Sequence, residues 1–283
     1  MTTVDTGQRR TPFGLMLRDW RRARGMSQLS LALDCGVSQR HLSFLESGRS
    51  RPSRGMVLHL ASALALPLRD QNTMLLAAGF APAFGERALD APELQPVMAA
   101  LDRILAQQEP FPALVVDRIY NLVRSNAAAT ELLQFLFAGA AAAPPADELN
   151  LAYLLLAPDG MRPAVENWEE IAIWLIRRLR AEALLEGQSG DGKALMERLL
   201  ALPDVERLAR AGEDDGEHPP VLLTNLAVGG VRLSLFSMIA SLGTPLDAGL
   251  QELRIELFYP GDRATEDWFR AAAASRTGQE GGA

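Results

Sequence analysis

Residues 27–53, SQLSLALDCGVSQRHLSFLESGRSRPS, constrain the fold more than any other stretch of the chain. Ser27 can accept hydrogen bonds from the free amides at the start of a helix that holds Gln28, Leu29 and Leu33. Gly36 breaks that helix, and Ser38 can cap a second one running through about Glu46. The apolar pattern begins earlier, at Leu15, Trp20 and Met26, and continues through Leu31, Leu42, Leu45, Leu60, Leu64 and Leu75. Turn signals at Arg24-Gly25, Gly36, Gly48 and Gly79 cut this stretch into short amphipathic helices. The expectation for residues 1–80 is an all-α domain of five helices.

Two short helices joined by a tight turn let the second enter the major groove of a duplex while the first crosses the backbone. The second helix here buries Leu42 and Leu45 and exposes Gln39, Arg40, His41 and Ser43. Arginine and glutamine can pair bidentately with guanine and adenine edges, and Arg49, Arg51 and Arg54 follow closely enough for phosphates. Charge agrees. Through Phe80 there are eleven arginines against five acids, whereas the whole chain carries −7, so the remainder is acidic.

These residues resemble the XRE (Cro/C1-type) helix-turn-helix family across 14–79. The shared positions are Arg21, Ser27-Gln28, Leu31-Ala32, Gly36-Val37-Ser38, Leu42-Ser43, Glu46, Gly48 and Pro52-Ser53. The resemblance implies a phosphate contact for Gln28, base contacts for Gln39 and Arg40, and Ser38, His41, Ser43 and Phe44 close to the duplex. Phe44 stands where many relatives carry a polar base reader, so it either touches a thymine methyl or packs. Arg21 and Glu46 occupy the places of a structural ion pair.

Residues 81–96, APAFGERALDAPELQP, read as a linker, and 97–275 as a second domain. PALVVD and YNLVRSN suggest two strands about a turn, with a helix starting near Asn126. Loops are expected at 140–148 and 212–220. Helices are expected over Trp168–Leu185, Gly192–Leu202 and Asp204–Arg210. Residues 221–243 suggest a hairpin turning at Gly229-Gly230, ELRIELFY alternates with a period of two, and a last helix covers Arg263–Ala274. Residues 276–283 read as a disordered tail. Strands, helices and strands in that order predict an α+β domain with an antiparallel sheet.

Three segments, 112–133, 167–180 and 229–265, resemble the MmyB-like regulator ligand-binding domain. That likeness implies a PAS-like fold with an apolar cavity able to hold a fatty acid; this second domain is also where dimer contacts are expected, a preference that no residue pattern fixes. The candidate walls are Leu154, Trp168, Ile171, Leu175, Leu233, Leu235, Phe236, Met238, Ile255 and Leu257, with Arg124, Arg232 or Arg254 as partners for a carboxylate.

Catalytic signals are missing from the pattern. His41, His59 and His218 are dispersed, no paired cysteines accompany Cys35, and no phosphate-binding glycine loop occurs. No apolar run reaches the roughly 18 residues a membrane span needs. The sequence therefore points to a cytoplasmic, non-enzymatic transcription regulator without metal or cofactor. Its expected form is a homodimeric repressor on a palindromic double-stranded DNA operator, responding to a small apolar ligand. The alternative is a lipid- or metabolite-binding protein whose helix-turn-helix serves mainly protein contacts.

Overall fold

A computed structural model describes residues 11–137, 149–185, 190–211 and 220–280. The loops expected at 140–148 and 212–220 fall almost entirely outside these residues. The chain divides into two compact units.

The N-terminal unit holds α1 (Pro12–Ala23), α2 (Gln28–Asp34), α3 (Gln39–Ser47), α4 (Arg54–Ala63) and α5 (Leu68–Ala77). Its boundaries are written in local chemistry. Thr11, Ser27, Ser38 and Ser53 each accept from a backbone amide in the first turn of the helix that follows. Gly36 has φ +60°, a conformation that lets the chain reverse between α2 and α3 at no steric cost. The helices enclose Phe13, Leu17, Leu31, Leu42, Leu45, Leu60 and Leu75, all nearly inaccessible.

Helix α1 lies unusually close to α3. A Cβ on Gly14 would stand 2.6 Å from the Glu46 carbonyl oxygen and 2.7 Å from that of Leu45. Gly14→Ala should therefore push the two helices apart and cost about 1–3 kcal/mol, measured by denaturant unfolding. An unchanged midpoint would refute the close approach.

This unit is not contiguous in sequence, because Thr244–Gln251 belongs to it. Pro67, at the N-cap of α5, makes no side-chain cap. The Gln251 side-chain oxygen instead accepts from the Leu68 amide at 2.6 Å. Asp247 bridges to Gly85, and the Ala248 amide donates to the Gly85 carbonyl at 2.8 Å. Ala248 and Leu250, in the single helical turn Ala248–Gln251, are buried. Part of the expected linker is fastened here too. The Asn72 side-chain oxygen accepts from the Ala83 and Phe84 amides, and its nitrogen donates to the Phe84 carbonyl.

The second unit begins with α6 (Gln95–Gln107), β1 (Ala113–Val116), β2 (Leu122–Ser125) and α7 (Ala127–Leu136). It continues through α8 (Leu151–Leu156), α9 (Trp168–Leu185), α10 (Gly190–Leu200) and α11 (Val205–Ala211). β3 (Thr224–Val228), β4 (Val231–Ser241), β5 (Arg254–Pro260) and the C-terminal helix Arg263–Glu280 complete it. The five strands form one antiparallel sheet in the order β2-β1-β5-β4-β3, so the α+β expectation holds. Gly229 and Gly230, both with positive φ, turn the β3–β4 hairpin as read from the sequence.

Asn126 shows how a polar residue can be buried without penalty. Its oxygen accepts from the Ala113 and Ala129 amides, and its nitrogen donates to the Leu105 and Phe111 carbonyls. One side chain thus joins α6, β1 and the start of α7. The C-terminal helix runs past Ala274 to Glu280, where a disordered tail was expected. Within this extension Arg276 pairs with both Glu109 and Glu131.

Candidate functional site

Helix α3 has one buried and one open face. Leu42, Leu45 and Glu46 point inward, whereas Gln39 and Arg40 are exposed and Ser43 and Phe44 are half-buried beside them. These four positions, spaced i, i+1, i+4 and i+5, share one face of the helix. Ser38 is exposed at the helix start, where its oxygen accepts from the His41 amide at 3.1 Å, and the His41 side chain is half-buried.

Phe44 packs against the neighbouring cations. The Arg40 guanidinium stands 5.2 Å from its ring centroid and that of Arg49 5.8 Å. Both distances suit a cation–π contact, which restrains the flexible arginine stems. Helix α3 ends with Gly48 in the left-handed conformation, and the Arg49 amide donates back to the Phe44 carbonyl at 2.8 Å. Arg51 and Arg54 follow on the exposed surface.

Beneath this face lies a buried network. Arg21 donates through Nε to Glu46 Oε1 at 2.6 Å, through Nη2 to Oε2 at 3.1 Å, and through Nη1 to the Met26 carbonyl. Gln28 Nε2 donates to Glu46 Oε2 at 2.8 Å. Gln28 therefore helps to join α1, α2 and α3, and its amide retains a second N–H. Cys35 is buried beside the turn. Burial pushes its thiol above the usual range, and Asp34 adds to the shift, so the thiol is held protonated at neutral pH.

The second unit holds a cavity of about 590 Å³, within the range typical of small-molecule sites. Helix α9 contributes Ile171, Trp174, Leu175 and Arg178, one stripe at i, i+3, i+4 and i+7. The paired register turns Leu114, Leu235, Ser237, Glu256 and Phe258 to a common face of the sheet, and all five line the cavity. Of the ten expected wall residues, the structure places Ile171, Leu175, Leu235, Phe236 and Met238 on the lining.

The other five lie elsewhere. Ile255 and Leu257 lie on the face of β5 opposite Glu256 and Phe258 and do not reach the lining, although Phe236 and Met238, which the register puts on that same face of the sheet, do. Trp168 donates from its indole nitrogen to the Leu155 carbonyl and is covered by Arg162, 3.6 Å from its ring centroid. Leu154 is buried off the lining, in a helix that turns Leu151, Ala152 and Leu155 to the cavity. Leu233 is buried in the adjoining core.

The expected carboxylate partners also fall elsewhere. Arg124 is half exposed near Asp102, Arg232 is exposed and paired with Glu166, and Arg254 stands over the Tyr120 ring. Arg178 and Glu256 are the charged residues among the described lining. Sequence reading passed over both. The signal for Arg178 was its seven-residue spacing from Ile171.

Among the described residues no helix is long and apolar enough to cross a membrane. Nor is any group of three or more histidines, cysteines or acids placed to hold a metal.

A capped helix pair with a polar open face, followed by an α+β unit enclosing an apolar cavity, defines a transcription regulator with a helix-turn-helix and a ligand-binding domain. The chain belongs to the family of the MmyB-like transcription regulator ligand binding domain, whose model matches residues 97–272. A helix-turn-helix model matches residues 17–71. The chain is also similar to an uncharacterized HTH-type transcriptional regulator, RghRB, of Bacillus subtilis (strain 168). The two are 36% identical over 84 residues, 29% of this chain and 58% of that protein, so the match spans under two thirds of the relative.

Proposed function

We infer that the protein is a cytoplasmic, ligand-responsive repressor that binds a partly palindromic operator as a homodimer and responds to a small apolar molecule such as a fatty acid. The observation that carries this reading is the open face of α3, where Arg40 and Arg49 flank Phe44 next to Gln39 and Ser43. In this reading Gln39 and Arg40 read base edges, Ser43 and Phe44 approach the groove, and Ser38 and His41 lie at the helix start close to the backbone. Gln28, Arg49, Arg51 and Arg54 meet phosphates. One such module makes few base contacts, and pairing two across a palindrome supplies affinity and specificity. The cavity of the second unit supports the sensor role, and a ligand acts by its differential affinity for two states of the protein.

The test is selection of an operator from random duplexes, followed by binding measured across salt concentrations. Replacing Arg49, Arg51 and Arg54 together by alanine should flatten the log–log salt slope by about 2–3 and weaken operator and random DNA alike. An unaltered slope would remove these three from the phosphate contacts.

The alternative is a lipid- or metabolite-binding protein whose helix-turn-helix contacts another protein. It draws on Leu29 and Leu33, which are 52% and 71% exposed on α2. Salt-insensitive binding, or no DNA binding at all, would favour it.

A further inference from the structure

Strand β4 is longer than the neighbour on one of its sides. Its ladder with β3 ends at Thr224 opposite Leu235, whereas β5 accompanies it as far as Ser241. Beyond Leu235, among the described residues, no strand pairs with that side of β4. Ser237 to Ser241 are all exposed, Met238 by 56% and Ile239 by 43%.

The register shows which backbone groups face the open side. In an antiparallel ladder each residue turns its N–H and its carbonyl toward the same neighbour, and successive residues alternate. The Gly261 amide donates to the Ser234 carbonyl at 2.6 Å, and Pro260, opposite Leu235, has no N–H to give. Phe236, Met238 and Ala240 therefore bond toward β5. Ser237, Ile239 and Ser241 each present a donor and an acceptor to the open edge.

Proteins usually blunt such an edge with charge, proline or a bulge. The run FSMIAS, Phe236 to Ser241, has neither charge nor proline, and it pairs with β5 without a shift of register. A two-fold axis through Ile239 lays a second copy of this run antiparallel to the first. Ser237 then stands opposite Ser241, and Ile239 opposite Ile239 of the other copy. All three outward residues meet an outward residue, and no like charges are opposed. This match of the edge with itself favours a second copy of the chain over a foreign strand.

The same edge borders the cavity. Leu235 and Ser237 point to one face of the sheet and Phe236 and Met238 to the other, yet all four line it. The cavity thus reaches round β4 where β3 has ended, and a strand laid there would close part of its rim.

We propose that two copies of the protein pair through the open edges of β4, joining their five-stranded sheets into one continuous sheet. The proposal rests on the homodimer reading and gives the contact a place.

The test is sedimentation equilibrium of the full-length protein across a concentration series. Ile239→Pro removes an outward N–H and spares the ladder to β5. Ile239→Lys keeps that N–H and sets two like charges opposite each other at the axis. Each should weaken dimerisation at least tenfold while the circular dichroism spectrum stays that of the unaltered protein. Ile239→Cys should yield a disulfide-linked dimer under mild oxidation, because hydrogen-bonded antiparallel pairs hold their Cα atoms about 5.5 Å apart. If the lysine variant dimerises undiminished, or the cysteine variant fails to cross-link, the β4 contact is overturned while the homodimer reading stands. If the unaltered protein is a monomer at every concentration, both fall. Should the proline variant not fold, the lysine and cysteine variants decide.

Discussion

Glu46→Ala should remove about 3–5 kcal/mol of stability, because it leaves a buried guanidinium without its counter-charge. Arg21 and Glu46 are 9% and 5% accessible at the side chain and meet through two hydrogen bonds. Gln28 loses its acceptor in the same step. The loss should be read by denaturant unfolding of the full chain, with circular dichroism reporting the helices. A double replacement, Arg21→Met with Glu46→Leu, should recover at least half of it, since apolar residues of similar volume often substitute for a buried pair at little cost. If Glu46→Ala costs under about 1 kcal/mol, the pair contributes no more than an exposed one.

The second large effect concerns recognition. Arg40→Ala should weaken binding to a selected operator by about 1–3 kcal/mol, roughly 5- to 150-fold, and leave random DNA nearly unaffected. The reasoning starts from position. Arg40 is exposed on the face of α3 that also carries Gln39, Ser43 and Phe44, and the Phe44 ring restrains its stem. Phe44→Ala should give a smaller loss in the same direction, because it frees the arginine without removing it. The measurement is the ratio of the two dissociation constants at one fixed salt concentration. A parallel loss on both DNAs, with the salt slope reduced by about one, would make Arg40 a phosphate contact instead.

The parts of the fold legible in the sequence are those fixed by chemistry within a few residues. Ser27, Ser38 and Asn126 announce helix starts because a cap bonds to its own first turn. The Gly229-Gly230 hairpin is local for the same reason. The cavity was half legible. The α9 stripe could be drawn from spacing, yet choosing between its faces needs to know what packs on each side. On β5 the alternation was plain, but both faces of the central strands are covered: Leu114 and Val115, adjacent on β1, are each buried. Alternation alone then gives no sign of which face of β5 meets the cavity, and hydrophobicity favours Ile255 and Leu257 although Glu256 and Phe258 are the residues on the lining. Gln251 at the start of α5 was beyond reach, since 183 residues separate it from its partner.

That last contact bears on how the protein is made. A ribosome releases the five N-terminal helices early, and their shared core can collapse as they emerge. The amide of Leu68 must wait for Gln251, and Gly85 for Ala248, until β4 has also been synthesised. A nascent chain therefore carries an unfinished helix-turn-helix unit until Thr244–Gln251 has been made, and that piece arrives with the strands of the second domain. Completion of the first unit is in this way tied to synthesis of the second unit's sheet.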